Sequence, residues 1–164
     1  MGYTTEFSGQ VTISPPLSQE EIDYLRKFNR TRRMARQEGP YYVEGGGFMG
    51  QDRDDGIINY NSPPAGQPSL WCQWTPTEDG TAIEWDGGEK FYDSPEWMKY
   101  LIDHFVGPRP RAQHLMPFLK GHSLDGVIEA QGEESSDRWR LIVRDSKVLT
   151  QYASVAWDED PKPL

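Results

Sequence analysis

Phe7, Val11 and Ile13 fall at odd positions, with Thr4, Glu6, Ser8, Gln10 and Thr12 between them. That alternation predicts a strand buried on one face only. Pro15 and Pro16 close it. Ser18 and Glu21 then stand at the spacing of a capping box, flanked by Leu17 and Ile22 at the positions of a hydrophobic staple, so a helix is expected from Gln19. Ile22, Leu25 and Phe28 mark its apolar side. Arg26, Lys27, Arg30, Arg32, Arg33 and Arg36 crowd its second half, where cations complement the macrodipole. From 37 to 69 the period disappears, apart from a short strand expected over 41–44, and Gly and Pro become frequent. A loop of that length in a compact domain binds something, covers something or stays unstructured.

Periodicity returns with two strands, 70–75 and 81–86, joined by the turn-forming string PTEDG as an antiparallel hairpin. A second helix follows, with Ser94 as its cap, Pro95 at the first helical position and Gly107-Pro108 as its stop. Trp97, Tyr100, Leu101 and His104 lie along one side. Strands are then expected over 124–131, 138–144 and 147–156, the last two joined at a tight Asp145-Ser146 turn. This order predicts an α+β fold, a ferredoxin-like βαββαβ sandwich extended by a C-terminal β-hairpin, with a long Gly/Pro-rich loop after the first helix. Residues 1–156 make one domain, and 157–164 a flexible acidic, Pro-containing tail.

Composition sharpens this picture. In 164 residues only 35% are hydrophobic, so six Trp, eight Tyr and six Phe must supply much of the core. The net charge of −9 counts against nucleic acid and anionic membranes as partners. Cys72 is the single cysteine, which excludes an intrachain disulfide. No apolar run approaches the ~20 residues of a membrane span, and no leader pattern opens the chain, so it reads as cytoplasmic. No cofactor or metal is implied. The Gly-rich stretch 44–50 lacks the Lys-Ser/Thr ending of a phosphate loop and reads as a flexible lid. Asp52, Asp54, Asp55 and Gly56 miss the calcium-loop pattern, and His104, His114 and His122 have no metal-ligand spacing.

Candidate chemistry concentrates in 67–92, where three tryptophans and several carboxylates surround two turns. On a strand over 70–75, Leu70, Cys72 and Trp74 point one way and Trp71 and Gln73 the other. The outward indole then needs a cover: the 37–69 loop, a second copy of the chain or a partner. The next strand sets Ile83 beside Trp85 and Ala82 beside Glu84 and Asp86, with the two carboxylates roughly 7 Å apart. Such a pair can share a cation or flank a reacting bond; an ordinary solvated strand face produces it too. Gly87-Gly88 marks a turn with Glu89 and Lys90 at its rim. Arg32 and Arg33 could grip an anion in bidentate fashion, or form a solvated helix end paired with the acidic hairpin.

The string GQDRDDGIINYNSPPAGQPSLWCQWTPTEDGTAIEWDGGEKFY from Gly50, the WMKYLI helix, GYTTEFSG, TRRM at 31–34 and, more weakly, LDGVIEAQGEESSDRWRLIVRDSKV together resemble a family of small bacterial and phage proteins. That family lends no activity, and the PRPRAQHLMPFLKGHS link is longer here. What the resemblance implies is a chain acting on a host component. The leading expectation is a non-catalytic binding or regulatory module of counter-defence or toxin-neutralising type. Its contact residues would be Trp71, Gln73, Trp74, Glu84, Trp85, Asp86 and Glu89, with Arg32 and Arg33, and its partner a protein or a second copy. The alternative is a small metal- or carboxylate-dependent hydrolase or transferase using Glu84, Asp86 and Glu89 around a divalent cation or sugar, with Glu84 and Asp86 in one concave pocket.

Overall fold

The computed structural model describes residues 2–45 and 54–164. The chain runs β1 (Glu6–Ser14), α1 (Gln19–Arg30), β2 (Ala35–Arg36), β3 (Ile57–Asn59), β4 (Trp74–Pro76), β5 (Ala82–Trp85), α2 (Ser94–Leu101), β6 (Ser123–Gln131), β7 (Arg138–Arg144) and β8 (Lys147–Tyr152). A π-helical turn, Ile102–Val106, prolongs α2, and a 3-10 turn occupies Arg111–His114. Six strands form an antiparallel sheet in the order β4-β5-β1-β6-β7-β8, and β2 pairs with β3 separately. The fold is α+β, as the order of patterns indicated.

β1 lies inside the sheet because both of its edges are taken: Val11 stands opposite Ile83 of β5 and Gly126 of β6. A Cβ at Gly126 would meet the Gln10 carbonyl oxygen at 2.5 Å, so glycine lets the two longest strands close. The expected alternation holds. Phe7, Val11 and Ile13 turn toward the helices and join one aromatic core with Phe28, Trp74, Trp97, Phe105 and Leu141, while Ser8, Gln10 and Thr12 face out.

α1 begins as its sequence requires. Ser18 Oγ accepts from Glu21 N at 3.3 Å, and Glu21 Oε1 accepts from Ser18 N at 2.9 Å. Leu17 and Ile22 are both buried. Glu21 does more than cap, since its other oxygen lies 2.8 Å from His122 Nε2 and accepts from Lys120 N at 3.2 Å. His122 Nδ1 stands 2.6 Å from the Pro15 carbonyl, which can only accept, so Nδ1 carries a proton. Both side chains have almost no exposed surface. This buried pair ties the start of α1 to the connector before β6.

Several expectations are corrected. α1 stops at Arg30, with Thr31 extended as its C-cap, so Arg32, Arg33 and Arg36 follow the helix instead of riding on it. The strand expected over 41–44 does not form; among the described residues the regular pieces of the long loop are a 3-10 turn, Asp54–Gly56, and β3, which pairs with β2 just before the loop. Asp93, in the left-handed region at φ 57°, is the N-cap of α2, and Ser94 is its first residue with its carbonyl bonded to Trp74 Nε1. β8 ends at Tyr152, short of 156. The Asp145-Ser146 turn is as expected, both residues having positive φ as a tight hairpin demands. Most of the lid reading of 44–50 and, in the acidic string, Asp52 lie outside the described residues, while Asp54–Gly56 form a 3-10 turn.

Candidate functional site

The hairpin at the centre of the sequence argument forms, but shorter. Only Trp74–Pro76 is strand, pairing Trp74 with Trp85 and Thr75 with Glu84. Residues 70–73 have other uses for their backbone. Leu70 O accepts from Arg33 N at 2.7 Å, Cys72 O accepts from Asn29 Nδ2 at 2.9 Å, and Gln73 O accepts from Asp86 N at 3.0 Å. Strict alternation is therefore lost, and Cys72, Gln73 and Trp74 are buried in succession.

This separates the tryptophans. Trp74 is 1% exposed, edge-on to Phe7 at 5.2 Å and Phe91 at 5.0 Å, so it is core and not a contact residue. Trp85 packs edge-on against Phe7 and gives its Nε1 hydrogen to Gln73 Oε1 at 3.2 Å. Gln73 in turn donates to Glu89 O at 2.7 Å and is itself buried. Trp71 is half-exposed, as Trp85 is, but stands outside any strand. With Gln73 it lines two hollows: a cleft of about 720 Å³ on the α1 side and one of about 480 Å³ on the Tyr92 side.

The larger cleft takes Lys27, Asn29 and Arg30 from the last turn of α1, Val43 and Glu44 from the loop, and Asp86 from the end of β5. Lys27 pairs with Glu44 at 3.2 Å. Asp86 is held by Asn29 Nδ2 at 2.9 Å and by Gly88 N at 2.7 Å. Arg30 is exposed and makes no ion pair among the described residues. The smaller hollow adds Arg32, Pro63, Leu70, Lys90 and Tyr92. Arg32 gives Nε to Tyr60 O at 3.2 Å, and Lys90 makes no ion pair among the described residues. Asn29 has no signal in the sequence, where Lys27 and Arg30 stand out only as part of a helix-end charge cluster and Lys90 only as a turn rim. Thr31, extended as the C-cap, ends α1 after Arg30, so that its last turn presents Lys27, Asn29 and Arg30 together.

Arg33 does not reach this groove. It is 1% exposed, lies 4.0 Å from the centre of the Phe28 ring and donates through Nη2 to the carbonyls of Pro40 at 2.8 Å and Tyr42 at 2.9 Å. Burial draws its guanidinium down to about 10. The anion grip expected of Arg32 with Arg33 is thus undone, because Arg33 instead staples the loop to the end of α1. Cys72 is core, with its thiol pushed up to about 12 by burial. The three carboxylates of the enzymatic alternative lie apart. Asp86 lines the larger cleft, Glu89 the smaller hollow, and Glu84 a third surface beside Gln10 and Thr77, where it accepts from Gln10 Nε2 at 2.9 Å. Among the described residues, no cluster of His, Cys, Asp or Glu suited to a metal ion occurs and no helix is long and apolar enough to cross a membrane.

No family model, no curated protein and no solved structure matches this chain.

Proposed function

We propose that this chain is a non-catalytic binding module that takes a segment of a protein partner into the groove on either side of Trp71, in the cytoplasm. The observation that carries this reading is the position of one half-exposed indole that lines two adjoining hollows. An aromatic anchor flanked by water-excluding polar side chains is how interfaces concentrate binding energy. Arg30, Arg32 and Lys90 favour a partner segment with an apolar side chain for Trp71 and carboxylates beside it. The resemblance to bacterial and phage proteins makes that partner a host protein. We also read the first six elements of the main sheet and its helices as a ferredoxin-like unit: the neighbours β6-β1-β5-β4, all antiparallel, with a helix after β1 and another after β5, support it.

The test is affinity capture with immobilised protein, followed by identification, purification and titration of whatever is retained. A protein bound by the wild type and by Trp85→Phe, but lost with Trp71→Ala and weakened by Arg30→Glu with Lys90→Glu, supports the groove. Binding unchanged in Trp71→Ala sinks it.

A further inference from the structure

The face of the sheet away from the helices carries a second unpartnered surface. Leu141 and Val143 of β7 point into the core, so Arg138, Arg140, Ile142 and Arg144 point out. The register lines Val127, Ile142 and Leu149 across three strands as one apolar row, with Val127 46% and Leu149 45% exposed. Cations flank it. Arg138 and Arg140 both reach Glu129, at 3.6 and 3.4 Å, whereas Arg144 and Lys147, facing each other across the hairpin end, make no ion pair among the described residues. The acids nearby are Asp125, which accepts from Asp145 N at 2.7 Å, and Asp145 itself. β8 is also the sheet's edge, hydrogen-bonded on one side only. An open edge of six residues with a single charge on it is a template for another strand.

The complementary surface lies on the same chain. Residues 153–164 leave β8 with every side chain exposed: Val155 and Trp157 are 91% and 93% exposed, and Asp158, Glu159 and Asp160 follow directly. An exposed indole beside three carboxylates matches an aliphatic row beside free cations in both polarity and charge.

We infer that the occupant of this face is a second copy of the chain, in a two-fold dimer formed through β8. Antiparallel pairing of two β8 edges runs each 153–164 segment past the other copy's Asp145-Ser146 turn. Trp157 then covers the row of Val127, Ile142 and Leu149, and its acidic neighbours meet Arg144 and Lys147. The contact is isologous, each copy giving a segment and receiving one. It is separate from the Trp71 groove.

Sedimentation velocity on the full chain tests this, with circular dichroism to verify folding. The wild type is expected to show a concentration-dependent doubling of mass that high salt reverses, since the exposed charges are screened. Two variants, Arg144→Glu with Lys147→Glu, and Asp158→Lys with Glu159→Lys and Asp160→Lys, should each remain at monomer mass. Their equimolar mixture should recover the dimer, because both crossed contacts become complementary again. A wild type that stays monomeric at every concentration overturns the proposal, whether Trp157 emission shows a ring folded onto its own sheet or one left in water. So does a mixture that fails to associate.

Discussion

Trp71 and Trp74 stand three residues apart and meet opposite fates. Trp74 has a strand register, two aromatic neighbours and a hydrogen-bond acceptor in the Ser94 carbonyl, and the chain encloses it completely. Trp71 precedes the strand, in a stretch whose carbonyls are claimed by Arg33, Asn29 and Asp86, and it lines two hollows. The difference lies in what the backbone can reach. A ladder places alternate side chains on fixed faces, whereas carbonyls bonded to scattered loop and helix donors put side chains wherever those donors happen to be.

Substitutions can break or sharpen that division. Trp74→Ala should cost about 3–5 kcal/mol in urea unfolding, since it removes a fully enclosed ring from the aromatic core. An equal loss from Trp71→Ala would erase the distinction. Removing His122 with Ala should cost about 3 kcal/mol, because it leaves the Glu21 carboxylate buried without its partner.

That pair also sets a pH dependence. Burial alone would raise Glu21, but the Ser18 N–H, His122 and the Lys120 N–H outweigh it and hold the carboxyl below its ordinary value. The unfolded chain therefore takes up this proton at higher pH than the folded one. The stabilisation is complete above the ordinary carboxylate value and is lost as pH falls from there through the lower folded value. Acid unfolding should follow that course, and Glu21→Gln should flatten it.

Smaller effects follow. Arg33→Met keeps apolar volume over Phe28 but strips hydrogen bonds from the Pro40 and Tyr42 carbonyls. It should cost about 1–3 kcal/mol, with faster hydrogen exchange confined to the loop it staples. Trp71→Ala should change unfolding stability by no more than about 0.5 kcal/mol. Its effect belongs to partner binding.

Wherever side chains dictated local backbone, the structure was legible. Ser18 with Glu21 determined the first turn of α1, the odd apolar positions determined the inner face of β1, and Asp145-Ser146 determined the last hairpin. The site was only half legible. Trp71 and Gln73 do line the groove, but Trp74 and Arg33 proved internal and Glu84 belongs elsewhere. Alternation over 70–75 requires a ladder along that whole stretch, whereas pairing with β5 reaches back only to Gln73 O, which accepts from Asp86 N, and 70–72 have no neighbouring strand.

The sequence by itself determined the start of α1, the inner face of β1 and the last hairpin, because capping, alternation and turn chemistry act over a few residues and need no distant partner. Only the tertiary structure decided which indole is core and which is surface, and that one arginine is a buried staple while its neighbour lines a hollow. Those outcomes depend on which donors, rings and carbonyls meet across long chain separations, as Asn29 meets Asp86 and Arg33 meets Leu70, and no local pattern encodes such meetings.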